Sequence, residues 1–382
     1  MDTVAQNCTD SITGSCHRAG EPSSRGAIEQ GSHRRCRVLG GFFLLPQTTV
    51  CGGKGVEDQN CTDMDQLMTR YYLPASYAII FIVGLVGNVT AIAVYVTKLR
   101  PWRSSSIIMV NLALTDLLHV LSMPFLVHYY STGDWTLGDF MCRLVRFGFH
   151  FYLYGSVLFL TCLAVFRYVV VIKPLWATQV QQRRWGIIAC AAVWAIAAAE
   201  ITPMLTVISL QELNNETHCL DFANTDNVDN VRLYGWLLTA FGFVLPLVVV
   251  FLCYIGIVRQ LATGPYTSSP CRVRARRVTV LILVVFVVCF LPYHVLRVLR
   301  IETRKNRPTS CLVESIVHTA YIISRPLAGL NTFFNLVLYT LSGDKFRKAF
   351  LSIFYWDRVL TKARSVIRVA IISKAGRGTH DV

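Results

Sequence analysis

Residues 142–168 read CRLVRFGFHFYLYGSVLFLTCLAVFRY, and the reading of that stretch decides the fold. It is apolar and long enough to enter a bilayer, yet Arg143, Arg146 and His150 stand near one end and Arg167 near the other. A cation deep in an apolar helix costs about 2.5–3.5 kcal/mol to insert, so an ionisable side chain there points to function. Arg146 and His150 are four apart, which stacks them on one helix face. Arg167 follows Arg146 by 21 residues. At about 1.5 Å per residue the two lie roughly 30 Å apart, the thickness of a bilayer core. One helix therefore sets a cationic group at each membrane face.

Composition agrees. The chain has 382 residues, 53% of them hydrophobic and 15% charged, too little polar surface for a soluble protein of that length. Its formal charge of +15 would suit nucleic acid, but no basic stripe is interleaved with stacking aromatics, so no nucleic-acid partner is predicted. No nucleophile–base pair or metal set has supporting spacing, so the chain does not read as an enzyme.

Working outward, seven apolar segments cover about 72–97, 105–130, 140–172, 184–209, 233–260, 276–300 and 314–341, each long enough to span with some tilt. Short loops on one side carry Lys98, Arg100 and Arg103, then Lys173, Arg183 and Arg184, then Arg259, Arg272, Arg274, Arg276 and Arg277. Lys345, Arg347 and Lys348 follow the last segment. Loops on the other side carry Asp134, Asp139, Glu212, Glu216, Asp221, Asp226 and Asp229; only Arg304, Lys305 and Arg307 break the pattern. The bias of Lys and Arg predicts an outer N-terminus and an inner C-terminus. Residues 1–71 form a predicted extracellular arm, largely disordered, because polar residues dominate and no helical period is sustained. The apolar run 38–50 follows three arginines but is short, interrupted by Pro46 and far from Met1, so it reads as part of that arm. Residues 72–341 form the membrane domain, and 342–382 an amphipathic helix and cytoplasmic tail. Asn7, Asn60 and Asn215 head glycosylation sequons. Of thirteen cysteines, Cys162, Cys190, Cys253 and Cys289 sit in apolar runs as small hydrophobes, whereas Cys61, Cys142, Cys219 and Cys311 fall at segment ends or in loops, where disulfides form. Asp116 and Glu200 are acids inside apolar segments; no role is assigned to Glu200.

Local motifs then carry a resemblance. Gly87-Asn88-Val89, Leu112-Ala113-Leu114-Thr115-Asp116, Cys142, Phe166-Arg167-Tyr168, Trp194, Pro246 with Tyr254, Cys289-Phe290-Leu291-Pro292, and Asn331 with Asn335-Leu336-Val337-Leu338-Tyr339 stand in order along the chain. In order and spacing they are similar to the rhodopsin-like G-protein-coupled receptors from about Leu73 to Phe354. The resemblance implies an all-α membrane protein, a seven-transmembrane helix bundle with a short amphipathic helix on the inner leaflet. It implies disulfides Cys142–Cys219 and Cys61–Cys311, a heterotrimeric G protein met by Arg167 with Tyr254, Phe290 and Tyr339, and an allosteric sodium ion held by Asp116, Ser156, Asn331 and Asn335. Oxygen ligands suit that hard cation; a protonated Asp116 hydrogen-bonded to the amides is the alternative. No other cofactor or metal is expected. Three residues depart from the family pattern: Phe166 replaces an acid, Phe290 a tryptophan, and Leu336 a proline.

With the helices closed in the order usual for that class, Arg146 and His150 of segment 3, His294, Arg297 and Arg300 of segment 6, and Arg325 of segment 7 face one cavity. Such a density of like charges calls for an anion, and guanidinium forks bind carboxylate or phosphate bidentately. Tyr129 is a candidate pocket wall. Segments 2 and 3, with LPYHVLRVLRIETR (291–304) and AYIISRPLAGLNTFFNLVLY (320–339), resemble the dicarboxylate receptors near the nucleotide- and succinate-receptor branch. That resemblance implies a plasma-membrane receptor for small dicarboxylates such as 2-oxoglutarate, acting through Gq, phospholipase C and calcium. Extracellular nucleotides, succinate and cysteinyl leukotrienes are the alternative ligands. An anion transporter is the alternative class; it would show internal repeats or paired broken helices.

Overall fold

The computed structural model describes residues 67–352 except 209, 214–215, 223–227, 264–269, 307–310 and 351. Asn7, Asn60, Asn215, Cys61 and nearly all of the predicted arm and tail lie outside the described residues, as does the side chain of Cys311.

Among the described residues, six helices are long and apolar enough to cross a membrane: Met68–Lys98, Ser104–Thr132, Gly138–Ile172, Arg183–Thr206, Val231–Gln260 and Val273–Lys305. The seventh is built in two pieces, Cys311–Gly329 and Asn331–Ser342, divided at Leu330. Arg325 and Pro326 interrupt its apolar run, and Pro326 lies inside the first piece. The fifth and sixth helices contain π-helical turns, Ala240–Val244 and Phe286–Phe290. Each turn ends two residues before a proline, Pro246 or Pro292. Proline lacks an N–H and its ring crowds the carbonyl four residues back, so the preceding turn widens. The fifth helix begins at Val228 and the sixth runs to Asn306, each several residues beyond the predicted apolar limits. Those extra turns are held by polar contacts, including Arg232 to Glu302 at 2.7 Å.

The third helix sits at the centre. Val145, Arg146, Phe149, His150, Leu153, Ser156, Val157, Leu160 and Leu163 are all buried, at the three- and four-residue spacing that lets one helix face the others along its whole length. Where the family pattern has proline, Leu336 packs onto Gly87; a Cβ on Gly87 would lie 2.3 Å from a Leu336 methyl, so a larger residue there would require the leucine side chain to shift.

A two-stranded antiparallel hairpin, β1 (Leu210–Leu213) and β2 (Glu216–Cys219), was not anticipated in an all-α fold. The Cys142–Cys219 disulfide ties it to the third helix. Asp134 Oδ1 accepts from the Thr217 amide at 2.7 Å, and the Trp135 amide donates to the Thr217 carbonyl at 2.8 Å. So fastened, β2 turns the following residues inward. Asp221 and Phe222 are 2% and 0% exposed. At the opposite end, helical residues 344–350 follow Gly343. Phe346 anchors them, its ring 5.0 Å from that of Tyr95.

Candidate ligand-binding site

Beneath the hairpin the third, sixth and seventh helices bring Arg146, His150, Arg297 and Arg325 together, all buried. Arg146 donates to the Tyr130 hydroxyl at 3.0 Å and to the Cys219 carbonyl at 2.7 Å. Its guanidinium also lies over the Tyr129 ring at 5.7 Å, the contact through which Tyr129 enters the site. Arg297 donates to the Tyr154 hydroxyl at 2.7 Å and to Thr239 Oγ1 at 2.8 Å. It is enclosed by the rings of Tyr154, Phe222 and Tyr293. Arg325 lies between Tyr130 and Tyr321. His150 Nδ1 is 2.9 Å from the Arg146 carbonyl and Nε2 is 3.1 Å from the Tyr293 hydroxyl. With Nδ1–H donating to that carbonyl, Nε2 accepts from the tyrosine.

One acid enters this cage from the hairpin. Asp221 lies 3.5 Å from Arg325 and 3.7 Å from His150, and it accepts from the Tyr321 hydroxyl at 2.9 Å. Burial works to raise its pKa, but Arg325, then His150 and Arg146, outweigh burial and hold the carboxyl well below the usual carboxylate range. A depressed folded-state pKa means its stabilisation is complete above the unfolded value near about 3.9 and is lost only as pH falls through the folded value. Between about pH 5 and pH 8, Asp221 is therefore ionised throughout. Asp221→Asn and the parent are expected to show parallel pH profiles of ligand potency across that window. Profiles that diverge there would show that the carboxyl titrates within it.

Two predicted members stand apart from the cage. Arg300 pairs with Glu314 at 3.1 Å near the rim. His294 meets the cage through Tyr154, whose hydroxyl is 3.3 Å from Nδ1, and through the ring of Tyr293 at 5.2 Å; its own ring stacks on Phe243 at 4.3 Å. Arg143, the remaining cation of the opening stretch, is held by Asp139 at 2.7 Å and the Leu205 carbonyl at 2.8 Å.

Deeper in the bundle the predicted polar centre is assembled. Asp116 accepts from Asn335 Nδ2 at 2.8 Å and from Ser156 Oγ at 3.4 Å, and Asn331 Nδ2 donates to Ser156 Oγ at 2.8 Å. The Tyr339 hydroxyl is 3.4 Å from the same carboxylate. The side-chain oxygens of Asn331 and Asn335 are buried without a hydrogen-bond donor.

The chain matches the family 7 transmembrane receptor (rhodopsin family) over residues 87–339. The chain belongs to that family. It is 51% identical over 295 residues to 2-oxoglutarate receptor 1 of Mus musculus, covering 77% of this chain and 87% of the mouse protein. The corresponding Rattus norvegicus receptor matches to the same extent. A purinoceptor of Gallus gallus is 38% identical over 282 residues, 73% of this chain and 78% of the chicken protein. This rhodopsin-family receptor is accordingly a multi-pass plasma-membrane protein whose partners are a small-molecule ligand and a heterotrimeric G protein, and it is not an enzyme.

In the receptor an aromatic column links the cage to Phe290. His294 stacks on Phe243, Phe243 on Phe286 with centroids 6.1 Å apart, and Phe286 meets Phe290 edge-on at 5.6 Å. Arg167 lines a small cavity with Tyr95, Ser105, Ser342 and Lys345. Tyr254 is half-buried on the fifth helix. Glu200, without an assigned role, lies beside Gly242, where the ring of Tyr154 also packs.

Sequence reasoning missed Tyr130, Thr239, Tyr293 and above all Asp221. Asp221 had one available signal: it follows Cys219 by two residues, so a bridge to the third helix carries it toward the bundle axis. The tyrosines had none, because an aromatic on a membrane helix more often packs than binds.

Proposed function

We propose that this receptor responds to small dicarboxylates such as 2-oxoglutarate on the outer side and signals through Gq, phospholipase C and calcium. The carrying observation is the cage: it gathers Arg146, Arg297 and Arg325, and the carboxylate that enters it, Asp221, pairs with Arg325. The Nε donors of all three arginines are buried without an acceptor. Leaving a buried donor unpaired costs about 1–3 kcal/mol, more for a charged group, so the site is short of anionic oxygens. A dianion supplies them in pairs. One carboxylate would be held by Arg297 and the other by Arg146 and Arg325, with His150 beside them. Similarity to proteins named 2-oxoglutarate receptor 1 at 51% identity, against 38% for the chicken purinoceptor, favours a dicarboxylate over a nucleotide.

Arg297 stands above the π-helical turn and Pro292 on the sixth helix. Ligand drawn to Arg297 bears on Tyr154 and His294, hence on the column ending at Phe290. Movement of that helix would open the Arg167 end to the G protein, with Tyr254 and Tyr339 in support. The orientation proposed, amine end outside, follows the Lys and Arg bias of the loops. It puts the sequons at Asn7, Asn60 and Asn215 and the proposed Cys61–Cys311 bond in the oxidising compartment.

The decisive experiment is a calcium assay on cells expressing the chain, with di- and tricarboxylates, nucleotides and cysteinyl leukotrienes applied at controlled pH. A response to 2-oxoglutarate is expected. A response to ADP or UDP with none to dicarboxylates would move the ligand to the nucleotide class.

We further propose a sodium ion among Asp116, Ser156, Asn331 and Asn335. The orphaned Asn331 and Asn335 oxygens beside a carboxylate suit a hard cation, which takes oxygen ligands. Agonist affinity in the parent is expected to fall when sodium replaces a bulky organic cation, and Asp116→Asn to remove that difference. A parent that binds alike in both salts would leave Asp116 as a protonated hydrogen-bond donor.

A further inference from the structure

We propose that the small cavity beside Arg167 binds a small inorganic anion of the size of chloride. The cavity encloses about 100 Å³ where the first, second, third and seventh helices meet the 344–350 segment. A water molecule takes about 30 Å³ of liquid, so an ion of that size fits with part of its water shell. Tyr95, Met109 and Phe346 form its walls, and all three are buried. Those walls belong to the bundle interior rather than to the surface that faces lipid.

Every polar side chain that lines the cavity can donate a hydrogen bond, and none is a carboxylate. Arg167 and Lys345 bring two full positive charges, and Tyr95, Ser105, Ser106 and Ser342 bring hydroxyls. The Ser342 hydroxyl is buried with no hydrogen-bond partner. The second helix starts at Ser104, so Ser105 and Ser106 lie in its first turn, where the helix dipole places about half a positive charge. The seventh helix ends at Ser342 with the opposite half charge, which two full cations outweigh. The acids that could balance them are engaged elsewhere or missing. Asp344 pairs with Arg274, and Phe166 stands before Arg167 where the family pattern has an acid. Like charges gathered in one space disfavour each other, and an anion relieves that while accepting from the surrounding donors. An anion on Arg167 withholds it from the G protein, so the bound ion lowers signalling in the absence of ligand.

The effect on signalling rests on the role proposed for Arg167, and the test separates the two. The full chain, purified in detergent without ligand, is unfolded by heat while chloride replaces gluconate, an anion too large for the cavity, at fixed ionic strength. The midpoint is expected to rise with chloride and to saturate, because an ion that binds only the folded state stabilises it by mass action. Lys345→Gln is expected to raise the half-saturating chloride about tenfold, the worth of one charge-assisted bond. Lys345→Arg is expected to keep the parent response, and Ser342→Leu, which fills the cavity, to abolish it. Midpoints in gluconate close to that of the parent show that the variants fold. A parent indifferent to chloride, or a response unchanged in both Lys345→Gln and Ser342→Leu, would overturn the proposal. So would a response lost in Arg297→Gln and kept in Lys345→Gln, which would place the ion in the outer cage. In the second arm, nucleotide exchange on a reconstituted G protein is measured without ligand. The parent is expected to be slower in chloride than in gluconate by more than Ser342→Leu is, a comparison that removes any effect of the salts on the G protein itself. A saturable midpoint with no such difference would keep the ion in the cavity and overturn the role of Arg167 instead.

Discussion

Arg297→Ala is expected to raise the dicarboxylate concentration for half-maximal calcium response by about a hundredfold. Arg297 is fully buried, and its fork is already oriented by Tyr154 and Thr239. A carboxylate on that fork gains charge-assisted bonds of about 1.5–3 kcal/mol each, and about 2.8 kcal/mol is a hundredfold. Lysine is expected to recover little, because a point charge cannot donate to Tyr154, Thr239 and a carboxylate in one plane. Tyr154→Phe removes only one orienting partner and is expected to cost about fivefold to tenfold. The comparison is made at matched surface expression. Unchanged potency in Arg297→Ala would remove the sixth helix from the ligand site.

The second large effect is expected at the Cys142–Cys219 bond. It closes a loop with a sequence separation of 77, and a cross-link of that span contributes about 4.5 kcal/mol in the chain-entropy account. Its loss also frees the hairpin end that supplies the Cys219 carbonyl to Arg146 and Asp221 to Arg325. Cys142→Ser, Cys219→Ser and the double variant are therefore expected to lose surface receptor and ligand response alike, since each breaks the same bond. Strictly additive losses would show that the two cysteines act separately.

Much of the molecule was legible beforehand, because the bilayer imposes a coarse rule. Apolar length announces each helix, and loop charge announces its direction. The cations Arg146, His150, Arg297 and Arg325 stood out because charge is costly where they lie. Their helical phase agreed with a common cavity. Arg300 could not be separated from them on that basis; at three residues from Arg297 it shares a helix face, and only the position of Glu314 on the neighbouring helix takes it out. His294 was likewise in phase, yet Tyr154 stands between it and the cage. The divided seventh helix and the two π-helical turns change side-chain direction by a fraction of a turn, a shift the period of apolar residues does not record.

By itself, then, the sequence determined that this chain crosses a membrane several times with a row of buried cations and belongs with receptors of one family. Those features follow from local quantities: hydropathy, charge and the spacing of short motifs. Only the tertiary structure decided how the cations are balanced. Asp221 is one acid among several in a polar loop until the Cys142–Cys219 bond and the hairpin turn it inward to Arg325. Its partners lie 71 residues before it and 104 after it in the chain, and no local pattern links groups so far apart. The charge left over once that one carboxylate is placed is what makes the site suited to a dianion.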